Sequence, residues 1–196
     1  MHRADEALQE LKRGNKRYLE KHVENREITV DKTKKLYTLP QNPMAVVLAC
    51  SDSRVPPEIV FDQGLGDLFV IRNAGNVIDM HVLGSIEYAV KYLKTPLVFV
   101  LGHNMCGAIQ ATLAGEPVTE NVELIIKNIV DNVDMDKIDR SDMEKAASCL
   151  EDENIKRGIK EIRENKVVKE LEEAGKVKVT GGKYCLDTGV VKFLGE

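Results

Sequence analysis

Residues 44–54 read Met44-Ala45-Val46-Val47-Leu48-Ala49-Cys50-Ser51-Asp52-Ser53-Arg54, an apolar run ending in a thiol, a carboxylate and a guanidinium. The apolar part is continuous rather than alternating. That pattern predicts a strand buried on both faces, central in a parallel sheet. Extended backbone turns alternate side chains to one side. If extension persists past Cys50, then Cys50, Asp52 and Arg54 share a face. Three such groups at the end of a buried strand are costly to desolvate unless something pairs or uses them.

Working outward, residues 4–20 place Ala4, Ala7, Leu8, Leu11, Tyr18 and Leu19 among charges, an amphipathic helix with an expected break near Gly14. Residues 21–40 are polar and basic and read as a connecting arm. After the first strand, Pro56 and Pro57 stop the extended run and a short helical turn follows. Leu68 to Ile71 reads as a second buried strand, with Gly75 and the asparagines at 73 and 76 marking the loop behind it. Val82 to Leu93 fits a helix, and Leu97 to Leu101 a third apolar strand. Val122, Ile125, Ile126 and Ile129 form a helical stripe. Residues 151–174 form a longer charged helix or helix pair, with Ile155, Ile159, Ile162, Val167, Val168 and Leu171 as apolar positions. Lys176 to Thr180 and Tyr184 to Asp187 flank Gly181-Gly182, which reads as a hairpin turn. Strands alternating with helices predict an α/β fold: a central, mostly parallel sheet flanked by helices, an antiparallel edge at the C-terminus and an N-terminal helical arm.

The chain has 196 residues, 43% hydrophobic and 31% charged, which suits one α/β domain over 1–196, with an arm at 1–40 and a core at 41–196. A net charge of −4 and a pI near 5.7 argue against a nucleic-acid partner. No apolar run reaches the length of a membrane span, and the charged N-terminus lacks a signal-peptide core. The expected compartment is the cytoplasm, where thiols stay reduced. The four cysteines therefore point to metal or catalysis where they cluster, not to a disulfide framework.

They cluster with residues 101–108, L-G-H-N-M-C-G-A, where His103 and Cys106 are three apart directly after the third strand. With Cys50 this makes a Cys, His, Cys set, whose two thiolates and one imidazole suit Zn2+. Both segments lie at the carboxyl ends of apolar strands, where open α/β sheets place ligands. Three protein ligands leave a fourth tetrahedral position for water, the arrangement of catalytic zinc. Cys149 and Cys185 read as packed thiols. His81 could shuttle protons, although a surface or capping role suits it as well. Gly64-Leu65-Gly66 lacks the third glycine of a dinucleotide fingerprint, and T-G-G-K at 180–183 lacks phosphate-loop spacing.

C-S-D-S-R at 50–54, R-N-A-G-N at 72–76, G-H-N-M-C-G at 102–107 and L-x-x-L-x-x-G-N-x-R-Y at 8–18 together resemble a β-class carbonic anhydrase. The resemblance is weakest between 115 and 175. It implies a zinc enzyme that interconverts carbon dioxide and bicarbonate, with one Zn2+ per chain, built as a homodimer or a dimer of dimers. Cys50, His103 and Cys106 match the zinc ligands, and Asp52 and Arg54 the carboxylate–guanidinium dyad. Gln41, nine residues before Cys50, matches a substrate-side glutamine of plant-like members with an open zinc site. Phe69 and Tyr88 match aromatics of the small apolar pocket, partly across the dimer interface. Another subgroup carries a tryptophan where Val47 stands, as part of an inhibitory bicarbonate site; this chain has no Trp, although Arg72 matches that subgroup's arginine. In this reading Asp52 accepts the proton of the zinc-bound hydroxide in a hydrogen bond and aims its lone pair at the carbon of carbon dioxide, and Arg54 keeps it ionised and off the metal. A homologous carbon disulfide or carbonyl sulfide hydrolase, and a non-catalytic protein held together by zinc, use the same ligands.

Overall fold

The computed structural model describes residues 3–21, 27–131 and 133–195. It opens with helix α1 (Ala4–Leu19), continuous through Gly14. The expected break is absent because the glycine serves a close approach: a Cβ there would lie 1.7 Å from the Phe61 carbonyl oxygen. The next residue, Asn15, is buried and fastens the helix at three points. Its Nδ2 donates to the carbonyls of Val60 (3.1 Å) and Gly189 (3.0 Å), and its Oδ1 accepts from the Val191 amide. The G-N pair is thus a docking device.

Residues 22–26 of the expected connecting arm lie outside the described residues. The rest of the arm holds a helix, α2 (Val30–Tyr37), which the polar composition concealed. Its signal is the Thr29 cap, whose side chain accepts from the Lys32 amide. Strand β1 (Ala45–Cys50) is buried at all six positions, as the continuous apolar run requires. Then come α3 (Pro57–Val60), β2 (Leu68–Asn73), α4 (Met80–Glu87) with a wider helical turn over Tyr88–Tyr92, and β3 (Leu97–His103). Helices α5 (Gly107–Ala114), α6 (Glu120–Val130), α7 (Met143–Glu164) and α8 (Lys166–Glu173) follow, and β4 (Lys178–Tyr184) and β5 (Val191–Phe193) close the chain.

Among the described residues the sheet runs β2-β1-β3-β4-β5, parallel except for the β4–β5 pair. The expected turn at Gly181-Gly182 is corrected: both glycines lie inside β4, paired with Val100 and Leu101. They are there for space. A Cβ on Gly181 would meet the Val100 carbonyl oxygen at 2.5 Å, and one on Gly182 the Lys192 carbonyl oxygen at 2.6 Å. The real turn runs from Cys185, whose amide bonds the Val190 carbonyl. The expectation of a buried second strand is also corrected. Strand β2 is an outer strand, half-buried along most of its length, because it pairs with β1 on one side alone.

One sheet face packs Val46, Leu48, Val98 and Val100 against α4, α7 and α8. The other packs Val47, Ala49, Phe99 and Leu101 against α1, α3 and Phe61. Burying Ile155, Ile159 and Ile162 contributes about 1.5–3 kcal/mol each, which fixes α7 across β3 and β4. A third cluster gathers Cys50, Cys106, Ile109, Ile129 and Leu150 at the carboxyl ends of the strands. Cys149 is exposed on α7, facing away from neighbours Ala147 and Leu150, so its expected packing role fails; Cys185 is buried as expected.

Candidate metal centre and active site

The register explains the site. Strands β1 and β3 are adjacent and parallel with Ala49 opposite Leu101, so Cys50 and His103 emerge side by side at one sheet edge. Cys106 follows at the N-cap of α5. One ligand atom from each residue lies within 4.8 Å of the other two, and all three residues are buried. The His103 Nδ1 bonds the Asn104 carbonyl oxygen at 2.8 Å; a carbonyl only accepts, so Nδ1 carries the hydrogen. That leaves Nε2 buried and without a hydrogen-bond partner of good geometry. An orphaned imidazole nitrogen beside two thiols is a site shaped for a soft, N/S-liganded cation.

The thiols agree with that reading. Cys50 is held down to about 4: the Cys106 thiol donates to it and outweighs burial, with help from His103 and the amides of Gly75 and Asp52. Cys106 is pushed up, because it is the donor in that pair and is itself buried. A bound cation would take both sulfurs as thiolates, so binding would release their protons. The Gly75 amide reaches the Cys50 Sγ at 3.3 Å.

Strand β1 stops at Cys50, which corrects the expected alternation past it. Asp52 and Arg54 belong to a turn closed by the Val55 amide on the Asp52 carbonyl. They are nevertheless together, by a different route. The Arg54 Nε and Nη2 grip the two Asp52 oxygens at 2.9 and 2.7 Å, and the Arg54 amide adds a third bond at 2.9 Å. This grip holds the Asp52 carboxyl well below the usual carboxylate range, against a smaller effect of burial. Asp52 Oδ2 stands 4.0 Å from His103 Nε2, beside the ligand set and turned to Arg54. Arg54 Nη2 also reaches the Met105 carbonyl at 3.4 Å, tying the dyad to the His103–Cys106 loop.

Arg72 had no role in this site in the sequence reading, and its position is informative. It lies on β2 opposite Ala49, donates from Nε to the Cys50 carbonyl (3.0 Å) and from Nη2 to the Asp52 carbonyl (2.6 Å), and so fixes the backbone on both sides of Ser51. Its signal in the sequence is its place in R-N-A-G-N, one loop away from the ligands. His81 is exposed at the start of α4, its amide bonded to the Asp79 cap.

Gln41, Phe69 and Tyr88 lie elsewhere. Phe69 pairs with Val46, four residues before Cys50, which at about 3.3 Å per residue is more than 10 Å along the strand. Gln41 precedes β1 and lines a surface cleft with Leu36, Leu39, Leu65 and Leu68. Tyr88 stacks on Phe69 with centroids 6.3 Å apart and on Tyr92 at 5.8 Å. Within one chain the structure joins Cys50, His103, Cys106, Asp52 and Arg54, and gathers the other three along the outer strand.

The sequence model of the family described as "Carbonic anhydrase" matches residues 45–191. A carbonic anhydrase of Mycolicibacterium smegmatis is 49% identical over 127 residues, 65% of this chain and 61% of that protein. Carbonic anhydrase 2 of Mycobacterium tuberculosis is 53% identical over 108 residues, 55% of this chain and 52% of that protein. The matched segments therefore span between half and two thirds of these relatives. Among solved structures, a tetrameric β-carbonic anhydrase of Sordaria macrospora superposes with a TM-score of 0.75 at 27% identity, covering 84% of this chain and 86% of that one. The family match contains every residue of the buried Cys-His-Cys set and the dyad beside it, and the fold superposes on β-class structures over most of its length: the chain belongs to the carbonic anhydrase family, in its β class.

Proposed function

We propose that this protein catalyses the reversible hydration of carbon dioxide to bicarbonate and a proton, with one zinc ion per chain held by Cys50, His103 and Cys106. The observation that carries the proposal is the orphaned His103 Nε2 beside two thiols, with a carboxylate 4.0 Å away that is committed to Arg54. Zinc, when bound there, supplies a Lewis acid that brings the pKa of a coordinated water to about 7. The chain's own residues do the rest. The Gly75 amide stabilises the Cys50 thiolate, and the Asn104 carbonyl fixes the imidazole tautomer. Asp52 stays ionised, accepts a hydrogen bond from the attacking water and orients it. Arg54 prevents Asp52 from turning to the metal as a further ligand, which supports membership of the subgroup with an open zinc site.

The substrate is small and apolar, and we assign its pocket to Gln41, Phe69 and Tyr88 of a second copy. Their grouping along an outer strand supports that reading, as do the exposed rings of Tyr88 and Tyr92. The assembly is a homodimer or a dimer of dimers; the Sordaria relative is described as tetrameric. Among the described residues no helix is long and apolar enough to cross a membrane. A cytoplasmic setting suits the reduced thiols on which the site depends.

The test is a stopped-flow hydration assay between about pH 6.5 and 9, run beside a zinc analysis. Activity rising with pH in a chain carrying one zinc is the expected result. A zinc-loaded chain that does not hydrate carbon dioxide would overturn the proposal.

A further inference from the structure

Helix α7 lies in the stretch where the family resemblance is weakest, yet it buries Glu151, Asn154 and Arg157 at successive turns, and the first two face the metal-binding segments. Glu151 and Asn154 are each 4% exposed. A spacing of three puts both on one helix face. Each reaches a different metal-binding segment.

Burial pushes the Glu151 carboxyl up, and the backbone amides of Met105 and Cys106 beside it, together with Lys183, pull it partly back down. Those amides are available together because Met105 takes a left-handed conformation, φ +55°, uncommon for a residue with a side chain. Successive amides bent this way form a concave anion-binding nest. Here the anion is built into the protein. Lys183, 8% exposed, stands behind it, with Nζ 3.6 Å from Glu151 Oε2, 2.8 Å from Asp152 Oδ1 and 3.0 Å from Ser148 Oγ. Asn154 donates from Nδ2 to the Gly75 carbonyl at 2.9 Å, and the amide of the same Gly75 donates to Cys50 Sγ. A Cβ on Gly75 would meet Ala108 Cβ at 3.0 Å, so this loop is pressed against the start of α5. One helix face therefore grips the loop of Cys106 with a carboxylate and the loop beneath Cys50 with an amide.

We propose that Glu151 and Asn154 are positioning residues of the metal site, which set the separation of the Cys50 and Cys106 sulfurs before the cation arrives. The proposal rests on the zinc reading above. Neither residue touches the metal or the substrate; each acts through backbone that carries a ligand. Removing such outer partners costs roughly 10–100-fold in metal affinity.

The test measures zinc affinity of the full chain by competition with a chromogenic chelator, in wild type, Glu151→Gln, Glu151→Ala and Asn154→Ala. Glu151→Gln keeps the volume and one good acceptor, so it should lose about 10-fold, and Glu151→Ala more, up to about 100-fold. Asn154→Ala should lose about 10-fold. Thermal unfolding of the zinc-free variants separates a weakened site from a lost fold. If Glu151→Ala does not fold, Glu151→Gln and Asn154→Ala decide. Cobalt-loaded Glu151→Gln should show displaced thiolate and ligand-field bands, a change that general destabilisation does not produce. Wild-type affinity and wild-type cobalt spectra in the folded variants would overturn the positioning role alone. A wild-type chain that takes up no zinc would overturn the zinc reading itself.

Discussion

The two ends of β1 carry different kinds of chemistry. At the carboxyl end, Cys50 is buried, its sulfur and carbonyl are both bonded, and every group it needs comes from the same chain. At the amino end, Gln41 is exposed and Phe69 and Tyr88 lie along a sheet edge with no further strand beyond them among the described residues. A strand of six residues is too long for both ends to serve one reaction in one chain, at about 3.3 Å per residue. On the proposed reading, the carboxyl end is complete within one chain and the amino end waits on a second copy.

Cys50→Ala should abolish the carboxyl-end device. Zinc content should drop from one per chain to near zero, and hydration should fall by at least about 1,000-fold, because no metal remains to activate water. Zinc analysis and stopped-flow rates read both. Retained zinc with retained rate would mean that Cys50 is a packed thiol. Asp52→Ala is the finer cut. It should keep its zinc and lose about 10²–10⁴-fold in rate, the range of a positioned side chain that hydrogen-bonds the reacting group. Full activity in a zinc-loaded Asp52→Ala chain would remove Asp52 from the mechanism.

The legibility of the two ends differs for physical reasons. Cys50, His103 and Cys106 could be read from the sequence because each follows a continuous apolar run, and the carboxyl ends of parallel strands converge. The outer position of β2 could not. L-F-V-I satisfies a central strand as well as an outer one, and periodicity carries no information on strand order. Gly181-Gly182 looked like a turn because glycine punctuates turns more often than it makes room for a neighbouring carbonyl. Helix α2 was hidden because no residue of it is buried, so no apolar stripe announces it. Glu151 and Asn154 act across tens of residues on backbone groups, and a contact with backbone demands no motif. The alternation of Cys50, Asp52 and Arg54 puts the three together through the wrong geometry, since a turn rather than a strand sets the dyad beside the Cys-His-Cys set.

The incompleteness of the amino end can be tested without disturbing the other. If a second copy supplies Gln41 to the site built on Cys50, then Cys50→Ala and Gln41→Ala damage opposite halves of a shared site. Gln41→Ala alone should lose roughly 10-fold, the cost of one or two substrate-side hydrogen bonds. Mixing the two variants and allowing exchange should raise activity above the sum of the separate preparations, because half of the sites in each mixed dimer are intact. A strictly additive rate, in a mixture shown to exchange subunits, would exclude Gln41 from the site of the second copy.

The smallest effect concerns the pH range over which the carboxyl end stays assembled. The Asp52 carboxyl is depressed by Arg54, first through the paired side-chain hydrogen bonds and then through the Arg54 amide. A depressed carboxyl stabilises the fold fully above its unfolded pKa, about 3.9, and that contribution fades as pH falls toward the folded value. The stability difference between wild type and Asp52→Asn, read from denaturant midpoints, should therefore hold steady from neutrality to about pH 5 and shrink below about pH 4. Arg54 is open to solvent, which screens the pair and keeps the difference small. A difference that collapses between about pH 5 and 7 would require a carboxyl raised by burial rather than lowered by Arg54, and would turn the dyad into a proton donor at working pH.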